Sequence, residues 1–164
     1  MGIKREIERR FLVDIGTAHA MAAGLPVAAY SQCYLPHTGI WQMRARRVTA
    51  AGATSYTTTL KRGVSHGVCD EIEDHTTENV WRQYLHAAGY SLDKTRGRMM
   101  LDDGLVLEID IYEDEDLLPG HAVAEVELPR IDHPVALPRW LGREITGDDF
   151  YSNHALFALL GEMR

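Results

Sequence analysis

Residues 105–113 read Leu105-Val106-Leu107-Glu108-Ile109-Asp110-Ile111-Tyr112-Glu113. Side chains on a β-strand alternate between faces, so Leu107, Ile109 and Ile111 fall on one side and Glu108 and Asp110 on the other. The Asp103-Gly104 pair just before this run is a hairpin signal between alternating segments. Taken alone, the stretch describes a half-buried strand with its apolar face inward and its carboxylates in water.

The same alternation recurs along the chain and decides against that simple arrangement. Strands are expected at Ile3–Val13, Ala28–Leu35, Ile40–Thr49, Thr54–Arg62, Val68–His75, Tyr90–Leu101, Leu105–Glu113 and His121–Leu128, with turns at Thr38-Gly39, Ala51-Gly52, Asp103-Gly104 and Pro119-Gly120. One face of seven of them collects charge. Glu6, Glu8 and Arg10 share a face, as do Arg44 with Arg46, Thr59 with Lys61, Glu71 with Glu73, Lys94 with Arg96 and Arg98, Glu108 with Asp110, and Glu125 with Glu127. The opposite faces carry Leu60, Leu107, Ile109, Ile111, Ala124, Val126 and Leu128. Three helices are expected. They are Ile15–Ala23 capped by Asp14, Glu78–Ala88 capped by Thr76 or Thr77 and closed by Gly89, and Asp149–Leu160. Nearly every strand repeats the pattern, with both signs of charge, and three helices cannot cover every apolar face of a flat sheet. A closed antiparallel eight-stranded barrel with a charged lumen and helices packed outside, an α+β fold, accounts for the pattern and removes the sheet edges.

Length and composition fit one domain spanning residues 1–164. The net charge of −7 argues against a broad nucleic-acid footprint, which needs a basic excess. No apolar run approaches the roughly 20 residues that span a bilayer, so no membrane partner is expected. The N-terminus lacks the apolar stretch of a signal peptide, and Glu6 stands where a myristoylation signal needs Ser or Thr. Cys33 and Cys69 are isolated, which reads as a reduced, cytoplasmic protein.

A lumen lined by arginine and lysine suits a polyanion, since guanidinium groups match phosphate oxygens in bidentate geometry. Rows of carboxylates suit hard divalent cations. Together they describe a metal–polyphosphate site. At this point the sequence resembles a known family. Glu6-Ile7-Glu8-Arg9-Arg10 is similar to the ExExK signature of the CYTH superfamily, the triphosphate tunnel metalloenzymes. The resemblance continues in order through Met43-Arg44-Ala45-Arg46, Thr59-Leu60-Lys61, Glu71-Ile72-Glu73, Lys94-Thr95-Arg96, Leu107-Glu108-Ile109-Asp110 and Ala124-Glu125-Val126-Glu127, and ends on Trp140-Leu141-Gly142-Arg143-Glu144-Ile145-Thr146-Gly147-Asp148. It is strongest to the small bacterial inorganic triphosphatases. Arg10 stands in place of the signature lysine; it keeps the charge but cannot act as a base.

The resemblance implies roles. Glu6, Glu8, Glu125 and Glu127 would hold Mg²⁺ or Mn²⁺, with Glu71, Glu73, Glu108 and Asp110 as further ligands. Arg10, Arg44, Arg46, Lys61, Arg96 and Arg98 would bind phosphates, and Lys94 would sit by the attacking water. The implied reaction is hydrolysis of a small-molecule triphosphate, with inorganic tripolyphosphate first. The alternatives are a class IV-like adenylyl cyclase, a thiamine triphosphatase, and a non-catalytic sensor of polyphosphate or nucleotides. A homodimer is left open. Trp41 has the parity opposite to Arg44 and Arg46, so a tryptophan stacking on thiamine is not evident. His75 and His121 lie near strand ends, within conceivable reach of the tunnel mouth. Cys69 has lumen parity, with packing as its expected role. The run Glu113-Asp114-Glu115-Asp116 reads as a solvated loop, and Tyr151 and Asn153 fall on a helix that plugs or borders the tunnel.

Overall fold

The computed structural model describes residues 2–36 and 39–164; Thr38 of the expected Thr38-Gly39 turn lies outside them. Eight strands form: β1 Lys4–Asp14, β2 Val27–Leu35, β3 Gln42–Ala50, β4 Ala53–Ser65, β5 Val68–His75, β6 Leu92–Met100, β7 Val106–Tyr112 and β8 His121–Glu127. Every pairing is antiparallel, and the order β1-β5-β4-β3-β2-β6-β7-β8 closes through β8 onto β1. The expected closed barrel is therefore present.

Helix α1 (Ile15–Ala22) begins where the Asp14 carboxylate accepts from Thr17 N. Helix α2 (Glu78–Ala88) is capped by Thr77 rather than Thr76, and Gly89 closes it with φ 84°, a left-handed conformation that glycine adopts without steric cost. The third helix differs from expectation. Residues 149–151 form a single 3-10 turn, and Ser152 then breaks the backbone and caps α3 (Asn153–Glu162) by accepting from Ala155 N. Serine competes for the backbone in this way, so one long periodic stretch becomes a turn and a shorter helix.

Two apolar clusters flank the charged lumen. One gathers Trp81, Tyr84, Leu85 and Ala88 of α2 with Leu156, Phe157 and Leu160 of α3, against Cys33, Tyr34 and Ala45 of the wall. The other lies outside β7, β8 and β1, where Leu107, Ile109, Ala124 and Val126 are covered by α1 and by Leu128, Val135, Leu137, Trp140 and Leu141. The outer faces are thus buried partly by helices, as expected, and partly by the extended segment that follows β8.

The end of that segment also repairs the wall. β5 accompanies β1 only along Lys4 to Ile7. Beyond it, residues 142–145 run beside β1. Gly142 N donates to Leu12 O (2.8 Å), Leu12 N to Arg143 O (2.9 Å) and Ile145 N to Arg10 O (2.8 Å), with an antiparallel bridge from Phe11 to Glu144. A Cβ on Gly142 would stand 2.7 Å from Leu12 O, so only glycine fits this approach.

Candidate active site

The lumen opens into a cavity of about 320 Å³ whose lining includes the lumen faces of β1, β3, β4, β5 and β8. Glu6, Glu8, Arg10, Arg44, Arg46, Lys61, Glu71, Glu73, Arg96, Glu108, Glu125 and Glu127 all reach it, as period-2 alternation requires. Strand parity assigns a face but not a depth, and three expected residues fall elsewhere. Arg98 stands at the mouth with its side chain 59% exposed, 3.3 Å from Glu108. Lys94 and Asp110 are wholly buried and do not line the cavity.

At the mouth Lys4 meets Glu127 at 2.7 Å. Further in, Lys61 donates to Glu6, while Arg10 approaches Glu125 at 3.5 Å and Glu8 at 3.8 Å. Arg44 donates to Thr59 at 3.1 Å, and Thr59 to Glu73 at 2.9 Å. Arg96 is the hub: its Nε and Nη2 grip Asp110 as a fork at 2.6 Å each, and it also pairs with Glu108 and Glu125. At the buried end Lys94 donates to Asp110 and, at 3.2 Å, to Asn153 Oδ1, which also accepts from Tyr112 Oη at 2.8 Å. Asn153 is the first residue of α3, so this helix borders the tunnel through its N-terminus, where Ser152 and His154 also line the cavity.

The charges are held in tension. Burial pushes Glu125 up, but Arg96, Lys94, Arg10 and Lys61 outweigh it and hold the carboxyl well below the usual range. Glu8 goes the other way: burial, then the charge of Glu125, raises it to about 7. Burial also lowers the Lys94 ammonium to about 8, against the pull of Asp110 and with help from Arg96. Lys61 is raised, because Glu8 and Glu6 overcome its burial. Several guanidinium donors remain unused. Arg10 Nη2, Arg44 Nε and Arg46 Nε are buried and make no hydrogen bond, and Arg10 Nε has only the ion-pair approaches to Glu125 at 3.5 Å and Glu8 at 3.8 Å.

Among the described residues no three histidine, cysteine, aspartate or glutamate side chains are grouped as a metal site; lumen carboxylates are turned toward lysines and arginines. The donor set nonetheless fits a hard divalent cation. Glu8 stands directly opposite Glu127 on the paired strands, and Glu108 opposite Glu125. Like charges so placed repel, and an oxygen-seeking cation relieves them.

Several lining residues carry no charge and so gave no signal in sequence. Tyr30 and Tyr34 share the lumen parity of β2, and the Tyr30 ring lies 5.1 Å from the Arg96 guanidinium and 5.4 Å from that of Arg46. Neither His75 nor His121 lines the cavity, and His121 Nδ1 instead contacts Pro119 O at 2.9 Å. Cys69 does face inward, its thiol 3.5 Å from Glu6, and burial raises it to about 12, so it is held as a neutral packing group. Both cysteines are free. Trp41 points away from the cavity, with Arg62 stacked 4.7 Å over its ring. No described helix is long and apolar enough to cross a membrane.

Comparison with known proteins places this barrel. The chain is 30% identical over 156 residues to an inorganic triphosphatase of Acetivibrio thermocellus, covering 93% of this chain and 92% of that one. It is 32% identical over 160 residues to an inorganic triphosphatase of Nitrosomonas europaea, covering 92% and 95%. The crystal structure of an inorganic triphosphatase superposes with a TM-score of 0.61 at 30% identity, covering 92% of this chain and 93% of that one. No protein-family model matches the chain.

Proposed function

This chain belongs to the inorganic triphosphatase family, and from that membership and the tunnel we propose that it hydrolyses inorganic tripolyphosphate with the help of a divalent cation, Mg²⁺ or Mn²⁺. The observation that carries the reading is the row of buried arginines with unused donors facing a carboxylate-rich lumen. Arg10, Arg44, Arg46, Lys61 and Arg96 hold phosphoryl oxygens, and the fork geometry of a guanidinium suits them to it. Arg98, out at the mouth, meets the incoming anion.

Glu6, Glu8, Glu125 and Glu127 would hold the cation, with Glu71, Glu73 and Glu108 beside them. Asp110 serves Arg96 and Lys94 instead of a metal. A bound divalent cation supplies Lewis-acid neutralisation of phosphate oxygens. The arginines contribute fixed positive charge where negative charge builds during phosphoryl transfer. The lowered proton affinity of Lys94 would suit a base acting near pH 8, but its ammonium donates to Asp110 and does not reach the cavity. Its burial gives it a second candidate role, as the charge that orients Asp110 and through it Arg96.

The test is a phosphate-release panel over tripolyphosphate, ATP, thiamine triphosphate and pyrophosphate, with Mg²⁺ and with Mn²⁺, assayed also for cyclic AMP. Fastest release from tripolyphosphate supports the reading. Cyclic AMP from ATP makes the protein a cyclase, preferred release from thiamine triphosphate makes it a thiamine triphosphatase, and binding without turnover makes it a sensor.

A further inference from the structure

Two neighbouring rows of residues with lumen parity cross β2, β3, β4 and β5, the second ending on the exposed His75. In the first, Tyr34, Arg44, Thr59 and Glu73 stand opposite one another in register. Contacts there are direct: Arg44 Nη2 donates to Thr59 Oγ1 at 3.1 Å, and Thr59 Oγ1 to Glu73 Oε2 at 2.9 Å. In the second, Gln32, Arg46, Thr57 and His75 are aligned in the same way. This row repeats the arginine–threonine pair, yet Arg46 Nε, Thr57 Oγ1 and both amide atoms of Gln32 are buried without a hydrogen-bond partner. Gln32 as a whole is 0% exposed.

Buried polar groups are nearly always paired, to protein or to ordered water, and here four orphaned atoms fall on three consecutive strands. A buried water makes about three hydrogen bonds to such groups. Arg46 is also weakly anchored. It pairs with Glu73 only at 3.8 Å, and burial together with Arg44 and Arg96 lowers its proton affinity.

We propose that a bound water molecule sits between Gln32, Arg46 and Thr57, accepting from Arg46 Nε and donating to Gln32 Oε1 and Thr57 Oγ1, and that Gln32 and Thr57 thereby position the Arg46 guanidinium for a phosphoryl oxygen. The proposal rests on the reading of Arg46 as a phosphate ligand. Gln32 and Thr57 are positioning residues: they act on substrate through Arg46.

The test is a double-mutant cycle read in KM and kcat for tripolyphosphate. Thr57→Val keeps the side-chain shape and removes the hydroxyl; Thr57→Ser keeps the hydroxyl and removes the methyl; Gln32→Leu removes the amide. Thr57→Val and Gln32→Leu each raise KM by about tenfold, the effect of one hydrogen bond acting on a charged group, with kcat within about twofold. Thr57→Ser keeps the wild-type KM, a result that a purely packing role would reverse. In an Arg46→Ala background neither Thr57→Val nor Gln32→Leu raises KM further. If Arg46→Ala raises KM but Thr57→Val does not, or if the two effects add in full, the water bridge is wrong and the phosphate clamp stands. If Arg46→Ala itself leaves KM unchanged, the clamp reading of Arg46 fails. Should Gln32→Leu not fold, the threonine pair decides the question alone.

Discussion

Glu8 lies deep in a wall of opposing charges, between Arg10 on its own strand and Glu127 directly across. Its carboxyl rises from 4.5 to about 7, so the folded protein binds a proton there that the unfolded chain has released. The stability this contributes is full below about pH 4.5 and is lost as pH climbs through about 7. The rise corresponds to on the order of 3 kcal/mol at most, at about 1.4 kcal/mol per pH unit. Glu8→Gln should therefore raise the Tm of cation-free protein at pH 7.5 and change it little at pH 4.5. Mg²⁺ or Mn²⁺ should stabilise wild type more at pH 7.5 than at pH 5. Calorimetric scans with the same Tm for wild type and Glu8→Gln at both pH values would contradict this account. Lys94 makes the complementary case, with its ammonium lowered to about 8. As the base, it would let the rate rise as pH passes through that value, and Lys94→Ala would lower kcat by a factor on the order of 10². The pH–rate profile of Lys94→Arg separates the two roles. Arginine keeps the charge and cannot release the proton, so an active variant with the wild-type profile assigns Lys94 to electrostatic support of Asp110 and Arg96.

Among the elements, the strands were the legible part and the closing segment was not. A charged lumen makes alternation visible on seven of the eight strands, because their two faces carry distinct chemistry. Residues 142–145 lack that alternation, yet they pair with β1 where β5 has ended. Their place is set by a gap in the barrel that no local pattern announces. Gly142 is the residue on which this depends, so Gly142→Ala should force Leu12 and the segment apart and destabilise the protein by about 1–3 kcal/mol, as overpacking does. Urea unfolding reads this directly, and an unchanged midpoint would show that the segment shifts without penalty. Ser152, by contrast, divides the third helix for a local reason, and the division puts Asn153 at the start of α3, within reach of Lys94 and Tyr112.

At the scale of the whole molecule, parity said which side chains enter the lumen and was silent on how far along it they lie. Arg98, Arg96 and Lys94 share one face of β6, yet they occupy the mouth, the charged middle and the buried end in turn. Depth follows from strand stagger and from what α3 closes, both properties of the assembled barrel. Tyr30, Gln32 and Thr57 were missed because uncharged residues in a strand announce packing, and their function depends on the neighbours that register brings. The resulting molecule keeps lumen cations and carboxylates paired with one another, and in the proposed reaction a triphosphate and a divalent cation would replace both sets of partners at once. The direct test is the rate of phosphate release from tripolyphosphate across a substrate titration, for wild type and Arg44→Ala with Mg²⁺ or Mn²⁺ present. The account predicts turnover by wild type and a KM raised in Arg44→Ala by roughly 1.5–3 kcal/mol of lost binding, the range for hydrogen bonds to charged groups. Turnover with the same KM and kcat in both proteins would place the reaction outside the tunnel and contradict the account.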